Sequence, residues 1–121
     1  MPRQLKSGSG WRLGWDDEAI AFQGLIGGDG WAIELTAAEL EDFCKLLTQL
    51  AETLRQVSQD LMREERISCE VESELIWLEA EGYPQDYDLR LIVLTGRRGE
   101  GFWNASAVSE LLQATQVLKV F

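Results

Sequence analysis

The residues best placed to do chemistry are the glutamates that alternate along one predicted strand. Glu70, Glu72 and Glu74 share one face of an extended chain, because side chains two residues apart point to the same side. Such a row has the ligands to chelate a divalent cation or to pair as general acid and base. It is also typical of a solvated outer face that blunts aggregation, and we favour this interpretation. We therefore expect no catalytic residue, metal or cofactor, with a carboxylate metal site as the alternative.

The rest of the residue inventory also argues against an enzyme. The chain contains no histidine, which removes the commonest general base and metal ligand. Cys44 and Cys69 are too few for a structural zinc site, and each is in phase with apolar neighbours. We predict that both are buried free thiols rather than a disulfide.

Net charge limits the partners. The 121 residues include 21 acidic and 11 basic side chains, a formal charge of −10. This charge favours solubility and opposes attraction to nucleic acid or anionic lipid. The sequence has neither a signal-peptide pattern nor an apolar run near the ~18 residues that span a bilayer, so we expect a cytoplasmic protein without membrane contact.

The tryptophans divide into two groups. Trp11, Trp15 and Trp31 lie on the apolar parity of their strands and are predicted to be core residues. Trp77 and Trp103 are predicted to be exposed, and Arg97 and Arg98 form the main basic pair. Because Trp and Arg dominate interface hot spots, they indicate an interaction surface. The candidate surface comprises Trp77, Ile92, Leu94, Arg97, Arg98 and Trp103.

One long amphipathic helix organises the elements that position these residues. It is predicted from Thr36 to about Met62, with Thr36 and Glu39 at capping-box spacing. Its apolar positions recur every three or four residues, which gives one buried stripe. They are Leu40, Phe43, Cys44, Leu47, Leu50, Ala51, Leu54, Val57 and Leu61.

Strands flank the helix on both sides in sequence. Residues 1–10 are predicted to be a flexible lead-in, and residues 11–121 a single α+β domain. Strands follow at 11–16, 19–26 and 31–35, with a hairpin at Gly27–Gly30. The glycine cluster also suggests a phosphate loop, but a strand follows it where such a loop requires a helix. After the long helix we predict strands at 67–82 and 87–95, a short segment at 102–103 and a final helix from Asn104 or Ser106.

The strand at 67–82 changes parity along its length. Glu70 and Glu72 are even-numbered whereas Glu79 and Glu81 are odd-numbered, so a β-bulge near Glu74–Ile76 is predicted to bring all of them to the outer face. The same shift places Trp77 outside. Pairing around the Tyr83–Asp86 turn then needs an odd register sum, which sets Glu79 beside Arg90 and Trp77 beside Ile92 and Leu94.

Several segments together resemble a family of small uncharacterised cyanobacterial proteins. They are residues 10–16, 24–28, 31–36, 76–84 and 97–103, of which the last two are the most specific. The resemblance implies a fold similar to that of the Whirly proteins and positive cofactor 4, which are regulators that bind single-stranded DNA. It implies a curved antiparallel sheet (β-β-β-α-β-β-(β)-α) backed by one long central helix. The family carries no established activity.

Two functions follow as hypotheses. The first is a non-catalytic interaction or regulatory module whose partner is a protein or a second copy of the chain. The alternative, from the fold resemblance, is a regulator that binds single-stranded nucleic acid. The acidic strand disfavours it, because carboxylates repel phosphates.

Overall fold

The computed structural model describes residues 3–59 and 65–118. Within these ranges the chain forms eight strands and two helices, so the predicted α+β class is confirmed. The first half contains β1 (Arg3–Gly8), β2 (Trp11–Asp16), β3 (Gly24–Gly28), β4 (Trp31–Leu35) and α1 (Ala37–Val57). The second half contains β5 (Ile67–Glu72), β6 (Ile76–Tyr83), β7 (Asp86–Val93), β8 (Glu100–Trp103) and α2 (Ala105–Val117).

The described strands make two sheets, whereas the sequence predicted one curved sheet with one backing helix. The first sheet has the order β1-β2-β3-β4 and the second β5-β6-β7-β8, with every neighbouring pair antiparallel. Each sheet is followed by a helix, so four strands and a helix occur twice. The prediction undercounted the strands because it missed β1 and joined β5 to β6.

Helix α1 begins as the sequence predicted. The Thr36 side chain accepts a hydrogen bond from the backbone N–H of Glu39, and the Glu39 carboxylate accepts one from the backbone N–H of Thr36. Its buried face includes Leu40, Phe43 and Leu47, together with Leu46, which the predicted stripe omitted. The helix ends at Val57, before the predicted end near Met62. Met62 and Leu61 lie outside the described residues.

Both helices and the inner faces of both sheets share one apolar core. Helix α1 contacts β3 and β4 of the first sheet and β5 and β6 of the second. Helix α2 contacts β2 and β7 and buries Val108, Leu111 and Thr115. Side chains from these elements form one buried cluster, to which β5 adds the half-buried Ile67, Cys69 and Val71 packed against it. This arrangement leaves the opposite face of each sheet directed away from the core.

The predicted β-bulge near Glu74–Ile76 is wrong, because the chain turns there and forms a hairpin. Glu72 pairs with Trp77, and the Ser73 hydroxyl accepts hydrogen bonds from the N–H groups of Leu75 and Ile76 at 3.1 and 3.2 Å. The residue numbers of each β5–β6 pair add up to an odd number, so the outward residues are even-numbered on β5 and odd-numbered on β6. A bulge would have produced the same change. Glu70, Glu72, Glu79, Glu81 and Trp77 therefore lie on the outer face as predicted, whereas Glu74 lies in the turn between the two strands.

Two predictions for the N-terminal part are also wrong. Residues 3–8 form β1, paired with β2, where the sequence predicted a lead-in without secondary structure. The strand predicted at 19–26 corresponds to β3 and begins at Gly24, because residues 17–23 form a loop. The backbone N–H of Asp16 closes this loop by donating to the carbonyl oxygen of Gln23 at 2.7 Å. The hairpin after β3 is confirmed, with Gly30 at the φ of 78° that its turn requires.

Candidate interaction surface

The outer face of the second sheet carries two cross-strand rows of four side chains. One row is Glu72, Trp77, Ile92 and Glu100, and the next is Glu70, Glu79, Arg90 and Phe102. These eight residues are called the acidic sheet face below. Their neighbours along β6 and β7, such as Leu78 and Leu91, are buried in the core, and the neighbours along β5 are half-buried against it. The alternation of the strands thus assigns all eight to the side away from the core.

Apolar side chains form a strip across the acidic sheet face. Trp77 and Ile92 are directly opposed and half-buried, as the odd register sum predicted. Phe102 in the adjacent row is 44% exposed, which makes it one of the more exposed large apolar residues described. Carboxylates of Glu72 and Glu100 flank the strip at its two edges. An aromatic strip framed by charge is typical of a binding surface.

Arg90 connects the two rows. Its guanidinium carbon lies 5.8 Å from the centroid of the Trp77 ring, within cation–π range. Its Nη1 donates to Oε1 of Glu79 at 3.2 Å, which confirms the predicted cross-strand ion pair. The Glu79 side chain is 18% exposed and that of Arg90 is 52% exposed. The carboxylate is therefore partly enclosed, while the guanidinium is well solvated.

Charge on the acidic sheet face is unbalanced. Its eight residues include four carboxylates and one guanidinium. Glu70 lies directly opposite Glu79, an arrangement of like charges that destabilises a sheet. The next row adds Glu81 opposite Asp88. A face that keeps such repulsion is suited to receive positive charge.

Trp103 does not belong to this surface, so the prediction that it is exposed is wrong. Its side chain is 1% exposed, and its Nε1 donates to the carbonyl oxygen of Gly27 at 2.8 Å. The ring packs 5.0 Å from that of Trp31 and 5.6 Å from that of Phe43. Trp103 therefore joins the two sheets and α1 from the inside.

Gly101 shows how closely the sheets approach at this junction. A Cβ atom at Gly101 would lie 2.2 Å from a ring carbon of Trp31. The Trp31 indole N–H donates to the carbonyl of Phe102 at 3.1 Å, so the ring lies against the backbone of β8. The glycine is needed here for close approach, since any larger residue would displace the Trp31 ring.

Arg97 also has a structural role that the sequence did not reveal. Its guanidinium donates to the buried carboxylate of Glu39 and, at 2.6 Å, to the carbonyl of Glu34. It also stacks 4.6 Å from the Phe22 ring centroid. These contacts tie the β7–β8 loop to the start of α1. Arg98 is exposed, with a φ of 53° in the same loop.

The ionisation of Glu39 reflects this network. Burial alone would raise the pKa of Glu39, but hydrogen bonds from the Thr36 N–H, Arg97 and the Thr95 hydroxyl hold the pKa below the ordinary value of 4.5. The carboxylate is thus the favoured form in the folded state. Arg97 is consequently part of a charged anchor rather than a free docking group.

The structure therefore brings some predicted site residues together and separates others. Trp77 and Ile92 are neighbours on the acidic sheet face, whereas Leu94 follows the end of β7 and bonds through its N–H to Leu75 O at 2.8 Å. Phe102 was missed as a site residue. The sequence contained a signal for it. Trp103 pairs with the inward-facing Leu89, and adjacent residues of a strand point to opposite sides, so Phe102 must face outward.

Other chemistry finds little support in the described ranges. Cys44 and Cys69 are free thiols, as predicted, and both are half-buried. Burial, with the nearby Glu41 carboxylate, raises the pKa of Cys44 to about 12, which makes it a poor nucleophile. Among residues 3–59 and 65–118, no three carboxylate or thiol side chains group to hold a metal ion. Neither described helix has the length and apolar character to cross a membrane.

Comparison with known proteins identifies the family. The chain is similar to a solved protein of unknown function from the DUF155 family of Prochlorococcus sp. NATL2A. The two share 30% sequence identity and a TM-score of 0.89 over 94% of this chain and 96% of that one. A comparison with curated proteins finds no match. Residues 6–118 match the model of a domain of unknown function, DUF1818. The chain therefore belongs to the DUF1818 family.

Proposed function

We propose that this chain is a non-catalytic protein-interaction module and that the acidic sheet face is its binding surface. The observation that carries the proposal is the strip of Trp77, Ile92 and Phe102, which lies outside the core and is framed by carboxylates. Tryptophan, present here as Trp77, is among the residues that most often dominate binding energy. The relative from Prochlorococcus supports a cyanobacterial setting, and we expect the module to act in the cytoplasm.

Charge favours a protein partner over nucleic acid. The alternative, suggested by the resemblance to the Whirly proteins, is a regulator that binds single-stranded DNA. The acidic sheet face, however, would bring phosphates against four carboxylates and one guanidinium. We expect a single-stranded oligonucleotide to bind no better than about 10⁻⁴ M at physiological salt.

Charge also disfavours a second copy on the same face. In a two-fold symmetric dimer the acidic sheet face would meet itself, because both copies contribute the same patch. The excess negative charge on the face of one copy would then lie against the same excess on the other copy. Each chain also has a formal charge of −10. A basic surface on a different protein has the complementary charge.

The test is affinity capture from a cyanobacterial lysate, with and without nuclease, using three baits. They are the wild type, Trp77→Ala and Leu5→Ala. Leu5 is 64% exposed on β1 of the first sheet, so its removal is a matched loss of apolar surface elsewhere. We expect the wild type and Leu5→Ala to capture a protein partner whether or not nuclease is added, and Trp77→Ala to lose this partner.

Other results would contradict the proposal. Nuclease-sensitive capture, or micromolar binding of an oligonucleotide with a steep salt dependence, would favour the nucleic-acid alternative. Concentration-dependent dimerisation abolished by Trp77→Ala in sedimentation would make the occupant a second copy. Equal loss of the captured partner by Trp77→Ala and Leu5→Ala would show that the acidic sheet face is not the specific binding surface.

A further inference from the structure

We propose that Trp77 and Glu79 form a binding site for a guanidinium group, that Arg90 fills it in the free protein, and that an arginine of the partner takes it on binding. This inference rests on the proposed function and specifies its partner as a protein segment that presents arginine. Arg90 is then a placeholder supplied by the chain itself.

The contacts of Arg90 are those that an incoming arginine would make. Its guanidinium lies 5.8 Å from the centroid of the Trp77 ring and donates to Glu79 at 3.2 Å. An aromatic ring and a carboxylate side by side match the guanidinium, which is both a stacking plane and a fork of donors. The ammonium of lysine is a compact point charge and matches only the carboxylate.

The exposures show which partner of the pair is replaceable. The side chain of Glu79 is 18% exposed and is held in the sheet, whereas that of Arg90 is 52% exposed. Exchange of one guanidinium for another leaves the enclosed carboxylate paired throughout, so no buried charge is left alone. An ion pair with this much solvent contact contributes little, and its rearrangement is correspondingly easy.

The surrounding charge favours the exchange. Glu70 opposes Glu79 across β5 and β6, and Glu72 flanks Trp77. Once Arg90 leaves Glu79, these carboxylates can accommodate two positive groups, the released Arg90 and the arginine that replaces it. The added cation also relieves the repulsion between Glu70 and Glu79.

The probe is a short glycine peptide with blocked termini that carries two arginines, titrated calorimetrically at low salt. Matched peptides carry two lysines or two glutamates. Removal of the placeholder by Arg90→Gln is expected to tighten binding of the arginine peptide about three- to tenfold, since one cation–π contact and one exposed ion pair no longer compete. Trp77→Ala and Glu79→Gln should each weaken it.

Lys45→Gln is the matched control. Lys45 lies on α1 and forms an exposed ion pair with Glu41, also at 3.2 Å, so this variant removes the same charge and the same kind of contact elsewhere. It should change the affinity by no more than about twofold. Arg90→Lys should fall between the wild type and Arg90→Gln. Unfolding midpoints of all variants establish that each is folded.

Three outcomes would overturn the inference. They are equal tightening by Arg90→Gln and Lys45→Gln, equal binding of the lysine and arginine peptides, and no binding of the arginine peptide to any variant. None of these affects capture of a partner by the acidic sheet face, so the proposed function would still stand. Conversely, a capture experiment that fails while Arg90→Gln tightens peptide binding would leave the guanidinium site without the proposed partner.

Discussion

The two tryptophans that the sequence grouped together should respond in opposite ways to truncation. Trp103 is 1% exposed and touches Trp31 and Phe43, whereas Trp77 is half-buried on the acidic sheet face. Trp103→Ala should cost about 3–5 kcal/mol, because the cavity at the sheet junction cannot collapse freely. Part of this cost is the lost hydrogen bond to Gly27.

That part can be measured separately. Trp103→Phe keeps most of the ring but removes the Nε1 donor, which leaves the Gly27 carbonyl without its 2.8 Å partner. We expect a cost of about 1–3 kcal/mol. For Trp77→Ala, loss of the cross-strand contact with Ile92 and of the cation–π contact with Arg90 should cost about 1 kcal/mol.

Urea unfolding followed by circular dichroism distinguishes these values. With a slope of about 2 kcal/mol per molar urea, the midpoint should fall by about 2 M for Trp103→Ala and by about 0.5 M for Trp77→Ala. Equal midpoints for the two alanine variants, or a larger fall for Trp77→Ala, would refute the assignment of one tryptophan to the core and the other to the surface.

Two further predictions concern α1. Leu47→Ala should cost about 2–5 kcal/mol because Leu47 is fully buried, while Gln49→Ala on the exposed side should stay within about 0.5 kcal/mol of the wild type; equal urea midpoints would contradict this. Because the folded-state pKa of Glu39 is below 4.5, its contribution to stability should be complete above that pH and be lost as the pH falls through the folded pKa. Thermal midpoints of Glu39→Gln should therefore depend less on pH between about 7 and 3 than those of the wild type, and parallel curves would show that Glu39 is not the titrating group.

Local patterns in the sequence were sufficient for the start and most of the buried stripe of α1, and for the outward positions on β5, β6 and β7. The Thr36–Glu39 capping box and the apolar stripe are determined by neighbours three or four residues apart. The outward position of Trp77 follows from parity, and the turn at Tyr83–Asp86 sets its pairing with Ile92. Neither inference required knowledge of distant contacts.

Features set by distant contacts were not predictable in this way. Strand β1 has few apolar residues and lacks the alternation of a half-buried strand, and its pairing with β2 defines it. The turn at Ser73 is local but was missed for another reason, because it contains no glycine or proline and the Ser73 hydroxyl closes it instead. Arg97 reaches Glu39 across 58 positions, which no local pattern records.

The most direct test of the account is the affinity of a purified captured partner for the wild type, Trp77→Ala and Leu5→Ala, measured with unfolding midpoints on the same samples. If the acidic sheet face is the binding surface, Trp77→Ala should weaken binding by about tenfold or more and lower the midpoint only slightly, while Leu5→Ala binds like the wild type. Unchanged affinity of Trp77→Ala, or an equal loss in Leu5→Ala, would contradict the assignment of the acidic sheet face as the interaction surface.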